Sequence, residues 1–355
     1  MISDAQDESK NADNDRQCKS PLTRRQFLRT GAHGLLGAVV GAAAASQAGC
    51  QPAGGPSSQA GGANAGPTPG RATVVLIRDE HALQGTPEQR EHTIRSMLDS
   101  ALVRLSGRKT LAEAWARLAR PDDKIAIKSN LMMRPVHLEV LHAIHAGLTS
   151  AGIGDDSIAA WDGNSAGFGR AEFAALPRRP GYDANDVSNL VTNWSTGLVN
   201  VTGLKAHYLA GIGCALKNWA GAVTNINVED RDVSYAFHAD SCAAVGKLNA
   251  IPAIRDRCRL VVVDALQPLF HGGPQVDPRY LWDYQGLIVG TDPVAVDVIC
   301  ERIIQAKRDA YRGYSWPISP PAKHIQVADL RYGLGVSDPA RTDVVKLGWQ
   351  HGVLV

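Results

Sequence analysis

The sequence predicts an α/β domain, a layered and largely parallel sheet with helices on both faces, and three observations predict it. Short apolar runs rich in valine and isoleucine recur from Arg71 onward. Longer stretches of helical period separate them, and several runs hand over to polar residues at their ends. A strand buried on both faces reads as a continuous apolar run, and a parallel partner needs a crossover long enough to hold a helix.

Taken in chain order, the expected strands are 73–77, 124–128, 157–161, 198–201, 259–263 and 286–289. The expected helices are 87–105, 111–118, 137–151, 252–256 and 293–305. Pro293 suits a first helical turn, where its missing N–H costs nothing, and Thr291 or Asp292 is the expected cap. Gly290-Thr291-Asp292-Pro293 thus reads as a strand-to-helix turn. The stretch 162–193, rich in glycine, proline and asparagine, reads as a long loop or lid. No internal repeat is visible.

The domain is expected to span residues 71–355, behind a signal segment (1–50) and a linker (51–70). Thr23-Arg24-Arg25-Gln26-Phe27-Leu28-Arg29 fits the twin-arginine export pattern, and a weakly apolar Gly/Ala stretch follows it. The expected partner is the twin-arginine translocase, and the expected location is the periplasm or the outer face of the membrane. Gln47-Ala48-Gly49-Cys50 is similar to a lipoprotein cleavage site, with Gln47 in place of the usual leucine. Acylation of Cys50 would anchor the chain to the membrane. The Gly/Pro/Ser/Ala tract behind it would act as a flexible tether of roughly 25 Å.

Composition narrows the function. A formal net charge of +2 argues against nucleic acid as a partner, since that recognition needs a concentrated basic face. None of the six cysteines belongs to a CxxC pair, so neither a zinc ribbon nor an iron–sulfur ligand cluster is encoded. Cys214, Cys242, Cys258 and Cys300 read as small buried hydrophobes, able to pair in an oxidising compartment.

Polar residues collect where strands end. Residues 124–127 lead to Lys128 and Asn130, and 158–161 lead to Asp162. The run 198–204 leads to Lys205 and His207, and 260–263 leads to Asp264 and then His271-Gly272-Gly273-Pro274. The run 287–289 leads to Asp292. Open α/β sheets bind ligands at the carboxyl ends of their strands, so these residues are expected to share one site. Lys128, Lys205 and Lys217, with Asn130, Asn218 and the backbone at Gly272 and Gly273, suit a small anion. Asp162, Asp264 and Asp292 suit a divalent metal ion. His207, with Lys205, is the candidate general acid or base, because imidazole titrates near neutrality. Plainer roles stand beside these: a turn for Asp162, a helix cap for Asp292, a structural ion pair for Asp264. His142 and His145 lie three apart on a helix and face one way, and with His137 they invite a metal reading, but no acidic partner is obvious nearby.

Several of these stretches together resemble the domain-of-unknown-function family 362 (DUF 362). The resemblance rests on Ile125-Ala126-Ile127-Lys128-Ser129-Asn130-Leu131, with Ser129 where the family has proline, and on Leu204-Lys205-Ala206-His207. It continues in Ala215-Leu216-Lys217-Asn218-Trp219-Ala220-Gly221, in Val263-Asp264, in His271-Gly272-Gly273-Pro274, and in Gly290-Thr291-Asp292-Pro293-Val294-Ala295-Val296-Asp297. It implies an α/β domain, often exported and often linked to ferredoxin-like iron–sulfur modules, and carries no reaction with it. The clustered cysteines of such a module are absent from this sequence.

The leading expectation is an exported enzyme, dependent on a metal or an anion, that acts on a small anionic substrate. The alternatives are a non-catalytic ligand- or metal-binding protein, or an accessory of a membrane redox complex. The cofactor is unknown from sequence.

Overall fold

The computed structural model describes residues 70–355 apart from 132, 164, 167–172, 175, 177–179 and 225–236. Arg24, Arg25, Cys50 and the linker up to residue 69 lie outside the described residues. All described residues fall in one compact unit, Ala63–Val355.

The chain opens with strand β1 (Ala72–Arg78), helix α1 (Pro87–Ser106) and helix α2 (Leu111–Leu118). Both helices start in a capping box, Thr86 with Gln89 and Thr110 with Glu113, which satisfies backbone N–H groups that a first turn leaves free. Next come β2 (Ile125–Lys128), α3 (Leu138–Ser150), β3 (Ile158–Asp162) and the short β4 (Ser165–Ala166). The long central strand β5 (Gly197–His207) turns back through β6 (Gly211–Ile212) into the four-residue α4 (Ala215–Asn218). Short helices α5 (Val245–Asn249) and α6 (Pro252–Arg255) precede β7 (Cys258–Leu269). The chain finishes with β8 (Gly286–Gly290), α7 (Pro293–Arg312), α8 (Lys323–Leu330) and β9 (Thr342–Gly348).

The strands form one sheet in the order β4-β3-β2-β5-β7-β8-β1-β9, with β6 paired to β5. The pairs β2–β3, β2–β5, β5–β7 and β1–β9 are parallel, as the sequence predicts. Two apolar clusters bury its faces. One joins Ile127, Val201 and Val262 to the inner sides of α1, α2 and α3. The other joins Ala126, Leu204 and Val263 to α4, α5, α7 and α8. Helices therefore cover both faces, and period-2 alternation decides which side of the sheet each strand residue enters.

The structure corrects the expected elements in three places. The strand expected at 198–201 runs on to His207, and that at 259–263 runs on to Leu269. Strand β9 and helices α4, α5 and α8 did not stand out in the sequence. β9 is an edge strand with three of its seven residues exposed, so it lacks the continuous apolar signature of the central strands. Finally, β8 runs antiparallel to both β7 and β1. Its last residue, Gly290, faces Val261 near the start of β7, so whatever follows β8 emerges at the rim opposite to the carboxyl ends of β2, β3, β5 and β7.

Candidate functional site

Lys128 ends β2 and is fully buried. Its ammonium donates to the Ser129 carbonyl at 2.7 Å, to Asp162 Oδ1 at 2.8 Å and to Asn218 Oδ1 at 3.2 Å. Those three acceptors match its three N–H donors, so Lys128 has none left for a ligand. Asp162 also accepts from the Leu131 N–H at 2.7 Å. Burial works against the Asp162 carboxylate, but the Lys128 charge and the hydrogen bonds from Lys128 and Leu131 together outweigh it and hold its pKa below the ordinary value. Asn218 completes this knot by donating to the Lys128 carbonyl, to Asn200 Oδ1 and to the Val201 carbonyl. Space is tight here. A Cβ at Gly221 would sit 2.8 Å from Asp162 Oδ1 and 3.0 Å from Lys128 Nζ.

The far end of β5 carries a different environment. Lys205 and His207 are 5% and 7% exposed, so both side chains are buried. The Lys205 ammonium donates to Asn130 Oδ1. Among the described residues neither Lys205 nor Lys217 has a carboxylate hydrogen-bonded to it; Lys217 instead meets His238 Nε2 at 3.1 Å. Burial pushes the Lys205 pKa down to about 8, with Cys214 and then Asp162 opposing it and Lys217 and Lys128 adding repulsion. Burial likewise lowers Lys217. His207 is pushed down to about 2 by burial and by the charges of Lys217, His238 and Lys205. Its Nδ1 accepts the Leu209 N–H at 3.1 Å, so the neutral ring carries its proton on Nε2. The ring stacks on Tyr208 and His238.

The glycine pair reaches this end of β5. Gly273 packs on the Ala206 carbonyl so closely that a Cβ would lie 2.2 Å from it, and its own carbonyl accepts the Tyr208 N–H at 2.8 Å. Gly272 has φ +81°, a left-handed conformation that favours glycine. Neighbouring His271 turns elsewhere, 2.8 Å from the Arg308 guanidinium.

The structure thus brings together Lys128, Asn130, Asp162, Lys205, His207, Lys217, Asn218, Gly272 and Gly273. The other two aspartates stand apart from that group. Asp264 shares the parity of Val262 and faces α3, where it accepts from the His137 backbone at 2.8 Å and pairs with His137 Nδ1 at 2.7 Å. Burial opposes a charged His137, but the charge of Asp264 and the hydrogen bond to it together prevail and raise its pKa. Asp292 caps α7 at the opposite rim, accepting from Val294, Ala295 and Val336 N–H groups at 2.9 Å each. Parallel β8 was the assumption behind a three-aspartate metal site, and its reversal removes Asp292. The helix histidines also find acids that sequence distance concealed: His142 meets Glu91 at 2.8 Å and His145 meets Asp155 at 3.1 Å.

A different metal-compatible group was not foreseen. Cys214, Asp297 and Cys300 are buried, with their ligand atoms all within 4.8 Å of one another. Asp297 also accepts the Ala215 and Leu216 N–H groups at 2.7 and 3.0 Å, and burial pushes its pKa up to about 7. The available signal was the spacing of Asp297 and Cys300, one turn apart on a helix, rather than a CxxC pair. An open groove of about 650 Å³ lies elsewhere, beside Asp183, Asp186, Lys247 and Ile251.

Residues 167–302 match the family model described as domain of unknown function (DUF362). The matched segment holds Lys205, His207, Lys217, Asn218, Asp264, the glycine pair and the Cys214–Asp297–Cys300 group, and so supports the family resemblance. No curated protein and no solved structure matches the chain. Among the described residues no helix is long and apolar enough to cross a membrane.

Proposed function

We propose that this protein is an exported enzyme that binds a small anionic substrate at the carboxyl end of β5. One observation carries the reading: Lys205 and Lys217 are largely buried cations whose nearest polar partners, Asn130 and His238, are not carboxylates. Buried charge is costly unless it is paired, and an anion supplies the missing partner. Neutral His207 would donate its Nε2 hydrogen to that anion. The negative charge offsets the lysines and eases protonation of the ring, the property general acid–base chemistry requires, once Nδ1 releases the Leu209 N–H. Lys205, already depressed to about 8, is the side chain suited to act as base or nucleophile. Lys128, Asp162 and Asn218 would hold the framework rather than touch substrate.

The test is thermal and calorimetric titration of the purified full chain with phosphate, sulfate and small dicarboxylates. An anion should raise the melting temperature, and Lys205→Met should weaken its binding by about ten-fold to a hundred-fold, the worth of one charge-assisted hydrogen bond. Stabilisation by no anion, or undiminished binding in Lys205→Met, would exclude the site.

The same reading takes the Arg24-Arg25 motif as the export signal and Cys50 as a lipid attachment point. In an exporting host, wild-type protein should sediment with membranes and Cys50→Ala should appear in the soluble periplasmic fraction. Equal partitioning of the two would rule out the anchor.

A further inference from the structure

Next to the cationic end of β5, three helices deliver soft and hard donors to one point. Asp297 and Cys300 stand one turn apart on α7, and so project to the same side. Cys214 immediately precedes α4. The second residue of α8, His324, is fully buried, and its Nε2 lies 3.8 Å from Asp297 Oδ2. Neither ring nitrogen of His324 makes a well-formed hydrogen bond, although the backbone of Ser241 is a neighbour. An imidazole this deeply buried normally satisfies both nitrogens, so its position calls for a partner.

We propose that Cys214, Asp297, Cys300 and His324 form a buried site for a zinc-class divalent cation. Two thiolates, an imidazole and a carboxylate are the donor types that zinc takes in four-coordinate sites. Ligand atoms about 2.0–2.3 Å from one zinc stand roughly 3.3–3.8 Å apart in a tetrahedron. Cys214, Asp297 and Cys300, whose ligand atoms already lie within 4.8 Å of one another, need only small side-chain rotations to reach that spacing, and His324, 3.8 Å from Asp297, has to turn towards them as the fourth donor. The Ala215 and Leu216 N–H groups hold the Asp297 carboxylate in place, the role that outer hydrogen bonds play around metal ligands.

Two thiolates and one carboxylate carry three negative charges against two on the ion, so the loaded site keeps one negative charge. Binding displaces the thiol protons into solvent. Because all four side chains are fully buried, the ion enters while the chain folds. The site would pin α4, α7 and α8 together beneath the anion-binding end of β5 as a structural centre, closed to substrate.

Elemental analysis of the full chain, folded in medium containing zinc and dialysed against chelator, should find one zinc per chain. Wild-type protein refolded with cobalt should show thiolate-to-cobalt charge-transfer absorption, and the Cys214→Ser/Cys300→Ser variant should lack both signals. The idea fails if wild-type protein holds no stoichiometric zinc and gives no cobalt band, if the double variant keeps its metal, or if thiol mapping finds a Cys214–Cys300 disulfide in the exported protein. These readouts do not depend on anion binding, so this site and the substrate site stand or fall separately.

Discussion

A lysine ammonium is at ease in water and costly in an interior, so the neighbours of each buried lysine reveal its use. Lys128 spends all its donors on Ser129, Asp162 and Asn218, and is structural. Among the described residues Lys205 hydrogen-bonds only the side chain of Asn130, and burial brings its pKa to about 8. Its charge is present below that value and disappears above it. Anion affinity should therefore be highest below about pH 8 and decline as pH rises through it. Because a bound anion favours the ammonium form, binding near pH 8 should take up protons. Calorimetry in buffers of different ionisation enthalpy measures that uptake; release of protons, or a pH-independent affinity, would refute the assignment. The candidates for this end of β5 were legible in sequence because a strand that runs apolar and then ends in Lys-x-His announces its rim. Asp297 and Cys300 were not, since helix residues one turn apart meet Cys214 only after some eighty intervening residues have folded.

Among the elements, the end of α2 and the start of β7 are joined by one buried ion pair. Arg259 donates to both oxygens of Asp123, at 2.5 and 3.1 Å, and also to the carbonyls of Leu118 and Thr196. Burial raises the Asp123 pKa and these hydrogen bonds lower it further, to about 2. A depressed carboxylate stabilises the fold above its unfolded pKa and loses that contribution as pH falls through its folded one. Asp123→Asn should cost about 3–5 kcal/mol near neutral pH, because it leaves Arg259 buried without its charge partner. The difference from wild type should shrink as pH falls from about 4 towards 2. Denaturant unfolding at several pH values decides this, and a gap that is constant with pH would show that the pair is not the cause. No pattern in the sequence pointed to this contact, because pairing across 136 positions leaves no local signature. The strands themselves were visible wherever both faces are buried, and β9 was missed where one face is wet.

At the scale of the molecule, most of the architecture followed from periodicity: a layered, largely parallel sheet, helices on both faces, and a polar concentration at one rim. Strand direction did not. The run 286–290 is as continuously apolar as its parallel neighbours, so nothing local distinguishes an antiparallel insertion. That reversal gives α7 its reach. The helix starts beside Asp292 at one edge of the sheet, passes Asp297 and Cys300 under the middle, and finishes where Arg308 grips His271 just beyond the last residue of β7. It is a rigid strut with both ends clamped and the thiols at mid-span. Any shift in how its first turn is seated has to be absorbed along a stiff rod, so the loop that donates Val336 to Asp292 is mechanically joined to chemistry it never touches.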